Sequence, residues 1–198
     1  MAAIFIEELG MKTPDINLDV GSGTHGFQTA KILAAYEEVL LETSSDLVVV
    51  FGDVNSTIAC SLAATKLQVP LAHVEAGLRS FDRSMPEEVN RVLTDRLSTL
   101  LFTTSPEAKS NLNKEGISSI GIHFVGNTMI DSLVQWQSHF AKSTIRNDLG
   151  LVGDYALITF HRPSNVDDDA SLQKLVKAIN DIVAVQSLYQ AHKVRQLS

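Results

Sequence analysis

"DLVVVFGDVNSTIACSLAATKLQVPLAHVEAG" (residues 46–77) decides the fold. An unbroken β-branched run at 46–53 leads into a helix-forming stretch at 55–68, and a second apolar run follows at 69–77. Continuous rather than alternating apolarity marks strands covered on both faces, as in a parallel sheet. Outward from this unit, strands are expected at 99–105, 122–127 and 155–162, and helices at 27–42, 86–98, 106–115, 129–140 and 170–186. Strands alternating with helices predict an α/β protein, a Rossmann-like, doubly wound parallel sheet.

The organisation reads as one domain over 1–140, a polar glycine-containing linker over 141–154 ("AKSTIRNDLGLVGD" within it), and the start of a second domain over 155–198. One strand and one helix cannot form a core of their own. At the other end, "IFIEELGM" (4–11) reads as the close of a helix with no strand before it. The chain is therefore expected to be an excerpt of a larger two-domain protein, with an open sheet edge that favours self-association.

Composition narrows the partners. An apolar fraction of 44% and a charged fraction of 20% describe an ordinary soluble globular chain. A net charge of −7 argues against non-specific nucleic-acid binding. A phosphorylated small ligand stays open, since a few arginines and helix N-termini suffice to hold one. No apolar run has membrane-spanning length, and the N-terminus is acidic where a secretory signal would be basic. Cys60, the single cysteine, excludes an internal disulfide and fits a reducing, cytoplasmic location. No spacing of His, Cys and Asp suggests a metal site.

Two patterns bear on chemistry. Gly21, Gly23 and Gly26 spell G-x-G-x-x-G before a helix, the form of a dinucleotide-binding turn, which leaves a nicotinamide or flavin enzyme open. The second pattern is a convergence. Ligands of parallel α/β sheets bind beyond the carboxyl ends of the strands. There the predicted strands deliver Asp53, Glu75 and the pair His161–Arg162, with Arg79 following Gly77. In "SFDRSMPEEVNRVL" Pro86 opens a helix with Glu87 and Glu88 in its first turn. Val89, Val92, Leu93 and Leu97 make its apolar face, which sets Glu87, Arg91 and Thr94 opposite and lets Glu87 pair with Arg91. Clustered carboxylates push their proton affinities apart, which suits one as acid and another as base.

Each residue also has a structural reading. Asp53 can cap the helix beginning near Ser56, and Glu87 and Glu88 suit any first helical turn. His161 and His73 can be core histidines, and "VDDD" (166–169) fits the entrance of the next helix. Glu75 is the hardest to explain structurally, because a carboxylate at the end of an apolar strand needs a partner or a role.

The block "HVEAGLRSFDRSMPEEVNRVLTD" (73–95), with "GDVNST" upstream and "VGNTMIDSL" and "ITFHRPSNVDD" downstream, resembles the non-hydrolysing UDP-N-acetylglucosamine 2-epimerases from about residue 4 to about residue 183. The resemblance implies a glycosyltransferase-B architecture, two Rossmann-like domains facing across a cleft, and no cofactor. "GSGTHG" (21–26) then corresponds to a loop near the sugar-nucleotide cleft. It further implies Asp53, Glu75 and Glu87 as catalytic carboxylates, His161 as a nucleotide contact, and Arg79 and Arg162 as groups that hold phosphate or neighbouring carboxylates. Partners implied are UDP-GlcNAc and UDP-ManNAc, and a homodimer at full length. The family's G-T-R-P-E loop, its S-G-G segment and its H-P motif are absent from these 198 residues. A hydrolysing relative that releases ManNAc and UDP is a close variant, and a non-catalytic sugar-nucleotide-binding module is the competing class.

Overall fold

The run at 46–53 becomes β1 (Val48–Phe51) and the run at 69–77 becomes β2 (Leu71–Ala76), parallel, with Val48 opposite Leu71 and Phe51 opposite Val74. The computed structural model describes residue 6 and residues 9–153, 155–159 and 168–195. The chain divides into two compact units, Met1–Ala141 and Lys142–Ser198.

In the first unit α1 (His25–Glu42) precedes β1, and α2 (Asn55–Lys66) joins β1 to β2. There follow α3 (Pro86–Leu97), β3 (Leu100–Thr103), α4 (Pro106–Lys114), a 3-10 turn (Ser119–Gly121), β4 (Ile122–Phe124) and α5 (Thr128–Phe140). The described strands form one all-parallel sheet in the order β1-β2-β3-β4. Right-handed crossovers that step in a single direction place the connecting helices on one face. Val48, Val50 and Leu71 meet Leu40 of α1 and Ala63 and Ala64 of α2 on that face. The alanines let the helix lie close to the strands. A second cluster joins Ala76, Leu101 and Ile122 to Leu112 of α4. Leu71, Leu101 and Leu112 are fully buried, and truncating any of them to Ala costs about 2–5 kcal/mol.

Two expectations need correction here. β1 is not covered on both faces among the described residues: Val49 and Phe51, which alternate with Val48 and Val50, are exposed. An edge strand with helices on one side buries only every second residue. The strand expected at 155–162 also fails to form over its described part, since residues 155–159 carry no ladder pairing. His161 and Arg162 lie outside the described residues.

In the second unit, α6 (Ile145–Asp148) is followed by α7 (Asp169–Arg195), which runs past the expected end at 186. Asp168 receives the Ser171 N–H at 2.8 Å, so the acidic run does serve as a helix entrance.

Gly77 turns the chain out of β2. Its φ is 81°, and a Cβ there would stand 2.4 Å from the Ala108 carbonyl oxygen. Only glycine permits both the conformation and this approach to α4.

Candidate active site

β1 and β2 end side by side, and α3 begins next to them. Gly52 follows β1 at φ 63°, a turn that favours glycine, and Asp53 leaves it. Asp53 does not cap a helix. α2 begins at Asn55 after Val54, and the Asp53 carboxylate instead accepts a hydrogen bond from the Arg91 guanidinium of α3. Its backbone carbonyl accepts from Asn90 Nδ2 at 2.9 Å. Both ends of Asp53 are therefore set by α3.

Glu75 stands in a break of the β2–β3 register between Val74 and Ala76, at φ 72°. A non-glycine residue held at positive φ stores strain, and such positions gather at functional sites. The half-buried Glu75 carboxylate has no polar partner among the described residues, and its Oε2 lies 3.6 Å from where a Cβ at Gly52 would be. Asp53 and Glu75 thus flank Gly52. Glu87, also half-buried and unpartnered, sits one turn before Arg91 on α3. The structure brings all three residues to the carboxyl edge of the sheet.

Arg91 does not pair with Glu87. Its guanidinium reaches Asp53 and, at 3.3 Å, Glu88. Glu88 is buried rather than merely helix-favouring, and its carboxylate receives the N–H groups of Ser80 (2.9 Å) and Phe81 (3.0 Å) and the Ser80 hydroxyl (3.0 Å). Burial opposes its charged form, but these donors and Arg91 outweigh it and hold its pKa below the ordinary value. The expected apolar face of α3 is buried only in part, with Leu97 packed against the core. Glu88, Asn90, Thr94 and Asp95 are buried, whereas Val89 and Leu93 are exposed. The helix docks through polar groups because the strand ends and the 78–85 loop offer it donors and acceptors.

Beneath this edge lies an ion group, buried at His73, Asp95 and Arg79 and partly exposed at Glu115. Asp95 accepts from Arg79 Nη1 (2.7 Å) and the Gly77 N–H (3.1 Å), and it faces His73 Nδ1 at 2.7 Å. Arg79 also grips Glu115 through Nε and Nη2, both at 2.7 Å. Burial works against the guanidinium's charge, yet the bonds to Glu115 and Asp95 outweigh it and raise its pKa. Of the two roles the resemblance implies for Arg79, phosphate or neighbouring carboxylates, the structure shows the second: its side chain is 1% exposed and committed to Asp95 and Glu115 rather than open to a substrate. His73 is a core residue, as its place in the strand indicated.

On the other side of Asp53, Asn55 donates to Gln28 Oε1 at 2.8 Å and lies 3.2 Å from His25 Nδ1. No sequence pattern singles out this amide–imidazole cluster, although Asn55 and Asn90 stand inside "GDVNST" and "PEEVNR". The glycines of "GSGTHG" shape the turn into α1, and Gln28 donates back to the Gly21 carbonyl at 3.2 Å. A cavity of about 330 Å³ nearby, walled by Phe81, Arg83, Val92 and Arg96, includes none of the three carboxylates, which occupy an open edge. No group of His, Cys, Asp and Glu among the described residues could hold a metal ion.

Comparison with known proteins gives a consistent result. The family model for UDP-N-acetylglucosamine 2-epimerase matches residues 1–197. The UDP-N-acetylglucosamine 2-epimerase of Methanocaldococcus jannaschii is 48% identical over 93% of this chain and 52% of its own length. A crystal structure of that organism's UDP-GlcNAc 2-epimerase in complex with UDP-GlcNAc and UDP superposes with a TM-score of 0.86, at 47% identity, over 93% of this chain and 52% of the other. The UDP-2,3-diacetamido-2,3-dideoxy-D-glucuronate 2-epimerase of Pseudomonas aeruginosa is 44% identical over 92% of this chain and 51% of its own. The chain spans about half the length of these relatives.

Proposed function

This chain belongs to the UDP-N-acetylglucosamine 2-epimerase family, and we propose that it carries the acid/base half of a C2 epimerisation of a UDP-linked 2-acetamido sugar, UDP-GlcNAc to UDP-ManNAc. A carboxylate takes the C2 proton. The freed electron pair forms the C1–C2 double bond as the C1–O bond to UDP breaks, leaving 2-acetamidoglucal and UDP. UDP then re-adds at C1 while a second carboxylic acid delivers a proton to the opposite face of C2. Two faces require two separately placed groups, and positioned acids and bases supply roughly 10²–10⁴-fold each. Asp53, Glu75 and Glu87 are the groups proposed, with Asp53 oriented by Arg91. His161 and Arg162 are proposed as nucleotide contacts.

The observation that carries this reading is Glu75, a carboxylate at positive φ with no polar partner among the described residues, beside Asp53 at the carboxyl edge of the sheet. Reaction of the sugar nucleotide followed by NMR tests it. With a protein of the relatives' length that bears this chain, UDP-ManNAc as product supports the proposal, ManNAc with free UDP indicates the hydrolysing variant, and an intact substrate overturns it. The Pseudomonas relative favours a second substrate of the same class, a UDP-2,3-diacetamido glucuronate, to be assayed in parallel. Since the relatives run to about twice this length, we expect the 198 residues alone to show no measurable turnover, and a chain of the relatives' length bearing them to show it.

A further inference from the structure

His73 lies mid-strand in β2, opposite Val50 of β1 and Leu101 of β3, and is completely buried. Its Nε2 is 2.8 Å from the Gly52 carbonyl oxygen, and its Nδ1 is 2.7 Å from Asp95 Oδ1. A carbonyl oxygen only accepts, so Nε2 carries a proton. Asp95 Oδ2 accepts from Gly77 and from the Arg79 guanidinium, and its Oδ1 faces Nδ1, so an ionised Asp95 calls for a proton on that nitrogen too. The doubly protonated ring, with Arg79, balances the carboxylates of Asp95 and Glu115. A neutral ring would set an unprotonated nitrogen against the fully buried Asp95 carboxylate.

The consequence falls on Gly52. Its N–H is bonded to the Val74 carbonyl at 3.1 Å and its own carbonyl to His73, so both of its backbone groups are tied to β2. Asp53 is the next residue, and Glu75 lies two residues beyond His73 on that same strand. Arg91 in turn holds the Asp53 carboxylate.

We propose that His73 is an imidazolium strut, a positioning residue that fixes the spacing of Asp53 and Glu75 by tying the Gly52 carbonyl to the buried Asp95–Arg79 pair. This rests on the reading that Asp53 and Glu75 act on the substrate. Two substitutions separate the ring's two bonds. Gln at 73 sets an amide nitrogen near the place of Nε2 and can keep the Gly52 bond, whereas Asn sets one near Nδ1 and keeps only the Asp95 bond.

The test uses ¹⁵N NMR of the ring, amide hydrogen exchange at Gly52, and steady-state kinetics of the protein bearing this chain. Expected are two protonated ring nitrogens at pH 7, Gly52 exchange accelerated about tenfold or more in His73→Asn but much less in His73→Gln, and a loss of kcat of about 10²-fold in His73→Asn. KM should change little, and His73→Gln should recover part of kcat. A neutral ring overturns the proposal, as does unchanged Gly52 exchange in His73→Asn, or equal losses in both variants. The first two readouts need no substrate, so an inactive wild type would sink the functional reading while they still decide the strut. Should His73→Asn fail to fold, the wild-type ring spectrum and His73→Gln still decide it.

Discussion

Glu75 is held at φ 72°, a conformation that costs a residue with a side chain about 1–2 kcal/mol. Glycine would relieve that cost, so Glu75→Gly is expected to raise unfolding stability by about 1 kcal/mol in urea titration while abolishing turnover. A purely structural Glu75 would show the opposite, lower stability with activity retained. Glu75 was legible in the sequence because a lone carboxylate closing an apolar strand has no cheap structural explanation. Arg79 was not, because "GLRS" says nothing of Asp95 and Glu115, which reach it from α3 and from the residue after α4.

At the scale of elements, α3 is the part least readable in advance. Its spacing of Val89, Val92, Leu93 and Leu97 is a correct amphipathic signal, but the helix meets strand ends and a loop, where buried backbone donors need acceptors. Glu88 meets that need. Its pKa is depressed, so its contribution to stability is full above the ordinary glutamate value of 4.5 and is lost as pH falls through the lower folded value. Glu88→Gln should therefore flatten the acid limb of a stability–pH profile below about 4.5, and cost about 2 kcal/mol at neutral pH. An unchanged acid limb would count against the assignment. The β2–α4 contact gives a sharper case. Gly77→Ala would set a methyl 2.4 Å from a backbone oxygen at φ 81°. The expected loss, read by thermal or urea unfolding, is about 3 kcal/mol or more.

For the molecule as a whole, the alternation of apolar runs and helical segments was enough to read a parallel α/β sheet and nearly all of its described elements. Sheet order and coverage were not readable, because they depend on how crossovers step from strand to strand. Among the described residues, the one-directional order leaves Val49 and Phe51 on an exposed face of the outermost strand. Such a face favours association. Sedimentation of the 198-residue chain should show concentration-dependent self-association that Phe51→Lys reduces; a monomer at all concentrations would contradict this.

The central claim is that carboxylates from β1, β2 and α3 meet at one sugar carbon. It is tested most directly by deuterium incorporation at C2 of UDP-GlcNAc in D₂O, comparing the protein bearing this chain with its Asp53→Asn, Glu75→Gln and Glu87→Gln variants. The account predicts exchange in the wild type and a loss of about 10²-fold or more in each variant. Wild-type exchange in all three variants would contradict it.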